Sequence, residues 1–357
     1  MKRIGNLYDK IISVENLRLA DQKARRGKLR TYGVRHHDRN REANIYALHE
    51  ALLTKTYRTS PYELFKVYEP KERIIYRLPY YPDRIVHHAI MNVLEPIWVS
   101  VFTHNTFSCV KNRGIEGCAR SVERHIRKYD GRPLYVLKID LRKFYPSMPH
   151  ATIKDAVWWK IKDEDLLWLI DEIIDSVNGT PHPIRTDEVC DGESLPIGNY
   201  LSQYLANLVL ARFMHRVNEV WKIDADEYAD DITFYGDDPD KLREAFHTKI
   251  RPYLEEVLGL HVKDNWQIFP VAKNRQDKHG RALDFVGYKF YREQKLIRKS
   301  IKQNFCRMAA RLNKRTPALP AAEYKQRIAS WLGWAQHSNS RHLLKTIIKP
   351  EFQNGIL

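Results

Sequence analysis

Apolar positions along this 357-residue chain recur at two spacings, and the switches between them mark its elements. Within the first 42 residues, Leu7, Ile11, Ile12 and Leu17 predict one helix followed by a polar loop. Residues 62–77 carry Phe65, Val67, Ile74 and Tyr76 around Glu69-Pro70, the pattern of two strands joined by a turn. Ile85, Ala89, Val93 and Ile97 then repeat every fourth residue, predicting a helix over 85–98. Over 134–140 the alternation puts Tyr135, Leu137 and Ile139 on one face of a strand and leaves Asp140 on the other face, at its end. Leu205, Val209, Phe213 and Val217 predict a helix over 203–220, and Ile301, Phe305, Met308 and Leu312 another over 300–312. This irregular mixture of strands and helices points to an α+β architecture, with no internal repeat and no low-complexity segment.

Two pairs of adjacent aspartates call for different explanations. Tyr228-Ala229-Asp230-Asp231, between Glu227 and Ile232-Thr233-Phe234-Tyr235, predicts a hairpin with adjacent aspartates at its tip. Two carboxylates so close repel unless a positive charge lies between them and a third partner. The second pair, Gly236-Asp237-Asp238, is followed by Pro239 and by Leu242, Phe246 and Ile250 at helical spacing. Asp238 is therefore expected to cap a helix whose first residue is proline, and not to take part in chemistry.

Charge narrows the partners. Of the net +16, nearly all lies between Val271 and Leu357, which hold 19 Lys and Arg against 5 Asp and Glu. A nucleic acid is the natural counterpart of such a field, because each neutralised phosphate releases condensed counterions. Cys109, Cys118, Cys190 and Cys306 lack the paired spacing of a zinc site or a disulfide framework. Neither a signal-peptide start nor an apolar run of about 18 residues is present, so no membrane association is expected and the cytoplasm is the expected compartment.

Asp140 and Asp230 stand 90 residues apart, room for helices before the chain returns to a neighbouring strand. Hard cations such as Mg²⁺ take oxygen ligands and keep waters and substrate phosphates, so these carboxylates suit a pair of Mg²⁺ ions, with Mn²⁺ able to substitute. Such ions serve phosphoryl transfer to a primer hydroxyl.

Asp140-Leu141-Arg142-Lys143-Phe144-Tyr145, Pro196-Ile197-Gly198-Asn199-Tyr200-Leu201-Ser202-Gln203 and Tyr228-Ala229-Asp230-Asp231 together resemble the motifs of reverse transcriptases, and within them the diversity-generating retroelement group, which is similar in its Ile-Gly followed by Ser-Gln. The resemblance extends from about Lys28 to the final helices. It implies a right-hand polymerase: an N-terminal helix and basic extension over 1–42, fingers and palm over 43–289, and a helical basic thumb over 290–357. It implies catalytic Asp140, Asp230 and Asp231, with metal held by Asp140, Leu141 and Asp230. Tyr145 would gate the sugar of the incoming nucleotide, whose 2′-hydroxyl separates RNA from DNA chemistry. Ile197, Gly198 and Gln203 would face the nascent base pair; an isoleucine offers no side-chain hydrogen bond there, which implies misincorporation opposite template adenine. Lys71 and Arg73, with Lys66 as a further candidate, would hold the triphosphate from the strand pair. Lys111, Arg113, Gly287, Tyr288, Arg298 and Lys299 would touch template or primer, Gly287 by permitting a tight primer-grip hairpin in Phe285-Val286-Gly287-Tyr288.

The implied partners are a template RNA with its primer, deoxynucleoside triphosphates and a small basic pentameric accessory protein. Glu227 stands where the retroelement group has arginine, and Ala229 with Ile232-Thr233-Phe234 is similar to retron reverse transcriptases, so a retron-like or antiphage-defence enzyme is the alternative subgroup. A catalytically dead RNA-binding scaffold is the alternative from another class, and it predicts loss of Asp140, Asp230 or Tyr145, all of which are present.

Overall fold

A computed structural model describes residues 2–68, 72–185, 187–315 and 319–353. The chain divides into two compact units, one formed by Met1–Val110, Asp140–Lys222 and Phe246–Asp264, the other by Lys111–Ile139, Ile223–Ala245 and Asn265–Leu357.

The first unit is mostly helical. Where the apolar pattern predicts one N-terminal helix there are two, Tyr8–Ile12 and Val14–Ala24, because the Ser13 hydroxyl accepts the Asn16 amide and starts a new helix. A further helix, Tyr32–Asp38, replaces the expected polar loop. The basic residues there are drawn inward by a buried acid: Asp21 is fully enclosed and accepts from Arg25, Arg41 and the Tyr80 hydroxyl. The helix Ile85–Val99 forms as expected and buries Ile85 and Ala89, but Val93 and Ile97 of the predicted face are only half-buried, and Ile90, Leu94 and Trp98 are enclosed instead. Asn16 ties it to the N-terminal helices by donating to the carbonyls of Ile11 and Ala89.

Two strands of this unit, β1 (Glu63–Tyr68) and β2 (Glu72–Arg77), pair antiparallel with Phe65 opposite Ile75. Residues 69–71, where the sequence predicts the turn and which include Lys71, lie outside the described residues. The helix Ser202–His215, extended by a wider turn at Arg216–Val220, buries Leu205, Val209, Phe213 and Val217 as expected. Its remaining faces are also covered from Tyr204 to Ala211, so it is an interior helix and not an amphipathic one.

The second unit holds a four-stranded sheet in the order β4-β5-β3-β6, made of β3 (Tyr135–Asp140), β4 (Asp224–Tyr228), β5 (Asp231–Gly236) and β6 (Gln267–Pro270). β3 runs antiparallel to β6, with Val136 opposite Phe269, and Val136 is as buried as Leu137 and Ile139, so both faces of β3 are covered in its middle. The helix Gly114–Lys128 packs on β4. After β5, Asp238 accepts the amides of Asp240 and Lys241 and so caps the helix Pro239–Ala245, as its position before a proline predicts.

A three-stranded sheet of β7 (Leu283–Phe285), β8 (Tyr288–Phe290) and β9 (Lys295–Ile297) follows, and then the helices Lys299–Asn313, Ala321–Gln336, Arg341–Ile347 and Pro350–Gln353. Phe305, Tyr324, Ile328, Leu332 and Phe352 form their common core. Among the described residues no helix is long and apolar enough to cross a membrane.

Candidate active site

The acidic hairpin is built as its sequence implies. β4 and β5 pair antiparallel through a closing Tyr228–Asp231 pair, leaving Ala229 and Asp230 as a two-residue turn. Ala229 takes φ +57°, the left-handed region that a Cβ disfavours, so the tight turn carries some backbone strain at the residue before Asp230. Beneath the tip, the fully buried Asp226 carboxylate sits 3.0 Å from His125 Nδ1 and accepts the Tyr235 hydroxyl at 2.8 Å. Burial and the Asp226 charge push the Tyr235 phenol well up, which keeps it protonated as the donor in that bond. Burial and the charges of Asp226, Asp231 and Glu227 likewise push the Cys118 thiol up. The hairpin is thus anchored on the helix Gly114–Lys128 by a buried polar network.

β5 lies beside β3, and Lys138 on β3 pairs with Asp231 Oδ2 at 3.1 Å. Lys138 and Asp140 are two residues apart on one face of the strand. Asp140 ends β3 and begins a segment of the first unit. Within that unit, the Lys263 ammonium bonds the Asp140 carboxylate, the Lys263 amide donates to the Asp140 carbonyl at 2.9 Å, and Leu141 bridges antiparallel to Val262. Neither lysine stood out in the sequence as a site residue, although the alternation of β3 places Lys138 on the face of Asp140.

Tyr145 follows in the first unit, half-buried with its ring edge-on to Phe144. Its carbonyl accepts the Leu195 amide at 2.8 Å, which joins this segment to the turn that carries Ile197 and Gly198. That turn is fixed on the strand pair, because the Ile197 carbonyl accepts the Tyr76 amide at 2.9 Å. Gly198 has φ +111°, and a Cβ there would stand 2.9 Å from Ile75 Cγ2, so the close approach requires glycine. Tyr145, Ile197, Gly198 and the inner end of β2 therefore come together. Gln203 is exposed on the first turn of the helix Ser202–His215, and Arg73 is exposed on β2. Lys66 is engaged in an ion pair with Glu72 at 2.7 Å.

The residues expected to touch nucleic acid separate into two kinds. Lys111 is exposed, and Arg113 stands at the N-cap position of the helix Gly114–Lys128 without a side-chain cap bond, its guanidinium lowered by burial, which outweighs the opposing charge of Glu227. Lys299 is exposed at the start of the helix Lys299–Asn313. Arg298, in contrast, is paired with Asp284 at 2.6 Å, and Tyr288 is buried against Trp334 with ring centroids 4.9 Å apart. The Tyr288 side chain supports the turn from within, which corrects the expectation that it faces the primer. Val286 at φ +39° and Gly287 at φ +83° make the tight hairpin as expected, and a Cβ on Gly287 would collide with the Trp334 ring.

Among the described residues no three His, Cys, Asp or Glu side chains gather as a metal cage. A carboxylate such as Asp140 or Asp230, or a main-chain carbonyl such as that of Leu141, is by its chemistry a donor for a hard cation that completes its shell with water and phosphate. The lysine ammoniums on Asp140 and Asp231 mark places where a positive charge is already balanced by these acids.

Residues 69–266, more than half of the chain, match the family described as reverse transcriptase (RNA-dependent DNA polymerase). The chain belongs to the reverse transcriptase family. Protein YkfC of Escherichia coli strain K12 is 26% identical over 179 residues, which is 49% of this chain and 45% of that protein. Among solved structures, apo telomerase from Candida Tropicalis is similar at a TM-score of 0.50 and 9% identity over 84% of this chain and 62% of that one. A form of that telomerase truncated from its C-terminal domain is similar at a TM-score of 0.47 and 11% identity, over 70% of this chain and 59% of the other. The chain thus spans about half to three fifths of the length of these relatives, and the likeness to telomerase at a TM-score of 0.50 shows a shared fold.

Proposed function

We propose that this reverse transcriptase is an RNA-directed DNA polymerase that extends a primer on a template RNA with deoxynucleoside triphosphates. The observation that supports it most is the strand order: β5, which begins at the acidic turn, lies beside β3, which ends at Asp140. Asp140, Asp230 and the Leu141 carbonyl would hold Mg²⁺ ions, with Mn²⁺ as a substitute, and Asp231 would support the turn through Lys138. Bound there, the ions supply charge neutralisation and activation of the primer hydroxyl for nucleotidyl transfer.

The chain's own residues do the rest. Tyr145 limits space at the nucleotide sugar, Ile197 and Gly198 form the floor under the nascent pair, and Arg73 with Lys71 holds phosphate from the strand pair. Lys111, Arg113, Lys299 and the basic helix it starts bind the nucleic-acid backbone, which sets position but not sequence. Primer extension on poly(rA)–oligo(dT) with Mg²⁺ or Mn²⁺ tests this reading. Asp230→Ala should lower extension on the order of a thousandfold while leaving template–primer binding intact. Extension by that variant at the wild-type rate would remove the metal assignment.

Within the family we place the chain in the diversity-generating group, on the Ile197-Gly198 and Ser202-Gln203 pairs, with a pentameric accessory protein as its expected partner. Glu227 favours the retron-like or defence alternative. Sequencing cDNA made by Ile197→Gln distinguishes them: fewer errors opposite adenine support the retroelement reading, and an unchanged adenine error rate sinks it.

A further inference from the structure

Beside Gly198 the first unit forms a small polar cavity of about 260 Å³. Lys28 and Arg84 line it, along with His87, His88, Tyr200 and Gln203, and no carboxylate is among its lining residues. The two cations border one space without a counter-ion between them. Burial lowers the Arg84 guanidinium, with the charge of Arg77 adding to the effect, and burial together with the Arg84 charge lowers the Lys28 ammonium. The nearest acid in sequence, Asp83, is fully buried and is not among the lining residues; its Oδ1 accepts the Tyr57 hydroxyl at 2.8 Å and the Ser60 amide at 3.1 Å, while its Oδ2 has no hydrogen-bond partner.

A second observation comes from His87. It is 2% exposed, and its Nε2 has no hydrogen-bond partner. Leaving a polar nitrogen buried and unsatisfied is costly, so such a group persists where something else satisfies it. Burial pushes the His87 ring down to about 3, so it is neutral at ordinary pH and can donate its Nε2–H without adding charge. His88, pushed down to about 4, stacks on Tyr200 with ring centroids 4.4 Å apart and closes one side.

We propose that this cavity is an anion site for one phosphate group of a nucleic-acid strand or a nucleotide, held by Lys28 and Arg84 and by a hydrogen bond from His87. Two cations and a neutral buried donor around a space free of acids suit a phosphate, which brings the missing negative charge and several acceptor oxygens. The inference rests on the polymerase reading only for the kind of molecule that carries the phosphate. Gln203, placed near the nascent pair by sequence resemblance, borders the same space.

The test uses the full chain and equilibrium binding, which needs no catalysis. One arm measures a fluorescent primer–template with a single-stranded overhang, and the other a mant-labelled deoxynucleoside triphosphate. Arg84→Gln and Lys28→Gln should each weaken one arm by about tenfold to a hundredfold. The double variant should also reduce the salt slope by about 0.7 if the phosphate lies in a single strand. Loss in the overhang arm assigns the phosphate to the strand, and loss in the triphosphate arm assigns it to the nucleotide. Arg30→Gln, an exposed charge outside the cavity, should leave both arms within about twofold.

Lys28 stands on an exposed loop, so its variant folds even where Arg84→Gln does not, as thermal melting will show. Unchanged binding in both arms, or losses equal to that of Arg30→Gln, overturns the site. Absence of primer extension in the wild type bears on the polymerase reading alone.

Discussion

His87 is a core histidine on an otherwise apolar helix face, enclosed with Ile85, Val86, Ala89 and Ile90 as neighbours in sequence. Its folded-state value of about 3 lies below the usual histidine value of about 6.5, chiefly through burial. The unfolded chain therefore binds a proton that the folded chain refuses. The stabilising effect of the neutral ring is complete above about pH 6.5 and is lost as pH falls toward about 3. Between pH 7.5 and 5.5 this one residue should cost about 1 kcal/mol of stability. Urea unfolding checks it: His87→Leu should show a smaller loss over that interval, and an equal loss in variant and wild type would refute the buried, neutral ring. At the same scale, Gly198 and Gly287 are set by close approach, to Ile75 and to Trp334, that no other residue type tolerates.

At the scale of elements, the helix Pro239–Ala245 directly follows the hairpin and begins at a cap legible in the chain. Asp238→Ala should destabilise the protein by about 1 kcal/mol, read from chemical denaturation, and leave primer extension unchanged. Loss of synthesis in a folded Asp238→Ala protein would mean that the second aspartate pair takes part in chemistry. The elements that departed from expectation did so for local reasons. Ser13 splits the first helix by capping the second, and Asp21 pulls basic residues into a folded helical layer where the sequence suggested a polar loop.

For the whole molecule, charge asymmetry is the controlling feature. The helix Lys299–Asn313 turns Phe305, Ala309 and Leu312 inward and leaves Lys299, Lys302, Arg307 and Arg311 exposed. Replacing Lys299, Arg307 and Arg311 together with glutamine should weaken binding to a template–primer duplex. It should also shallow the dependence of log K on log salt by about 0.9 for each phosphate that is no longer neutralised. Titrations at several salt concentrations measure this, and an unchanged slope would place the duplex elsewhere.

The strand ending at Asp140, the acidic turn, the capped helix, the Val286-Gly287 turn and the family were all readable from the chain, because each depends on near neighbours or on a spacing the backbone imposes. What the chain could not disclose depends on meetings between distant segments. Lys263 reaches Asp140, Lys138 reaches Asp231, Tyr288 turns inward onto Trp334, and Lys28 meets Arg84 and the unpartnered His87 around one cavity. A side chain's periodicity reveals which way it points along its own element; only packing of the folded chain decides which charge it finds there.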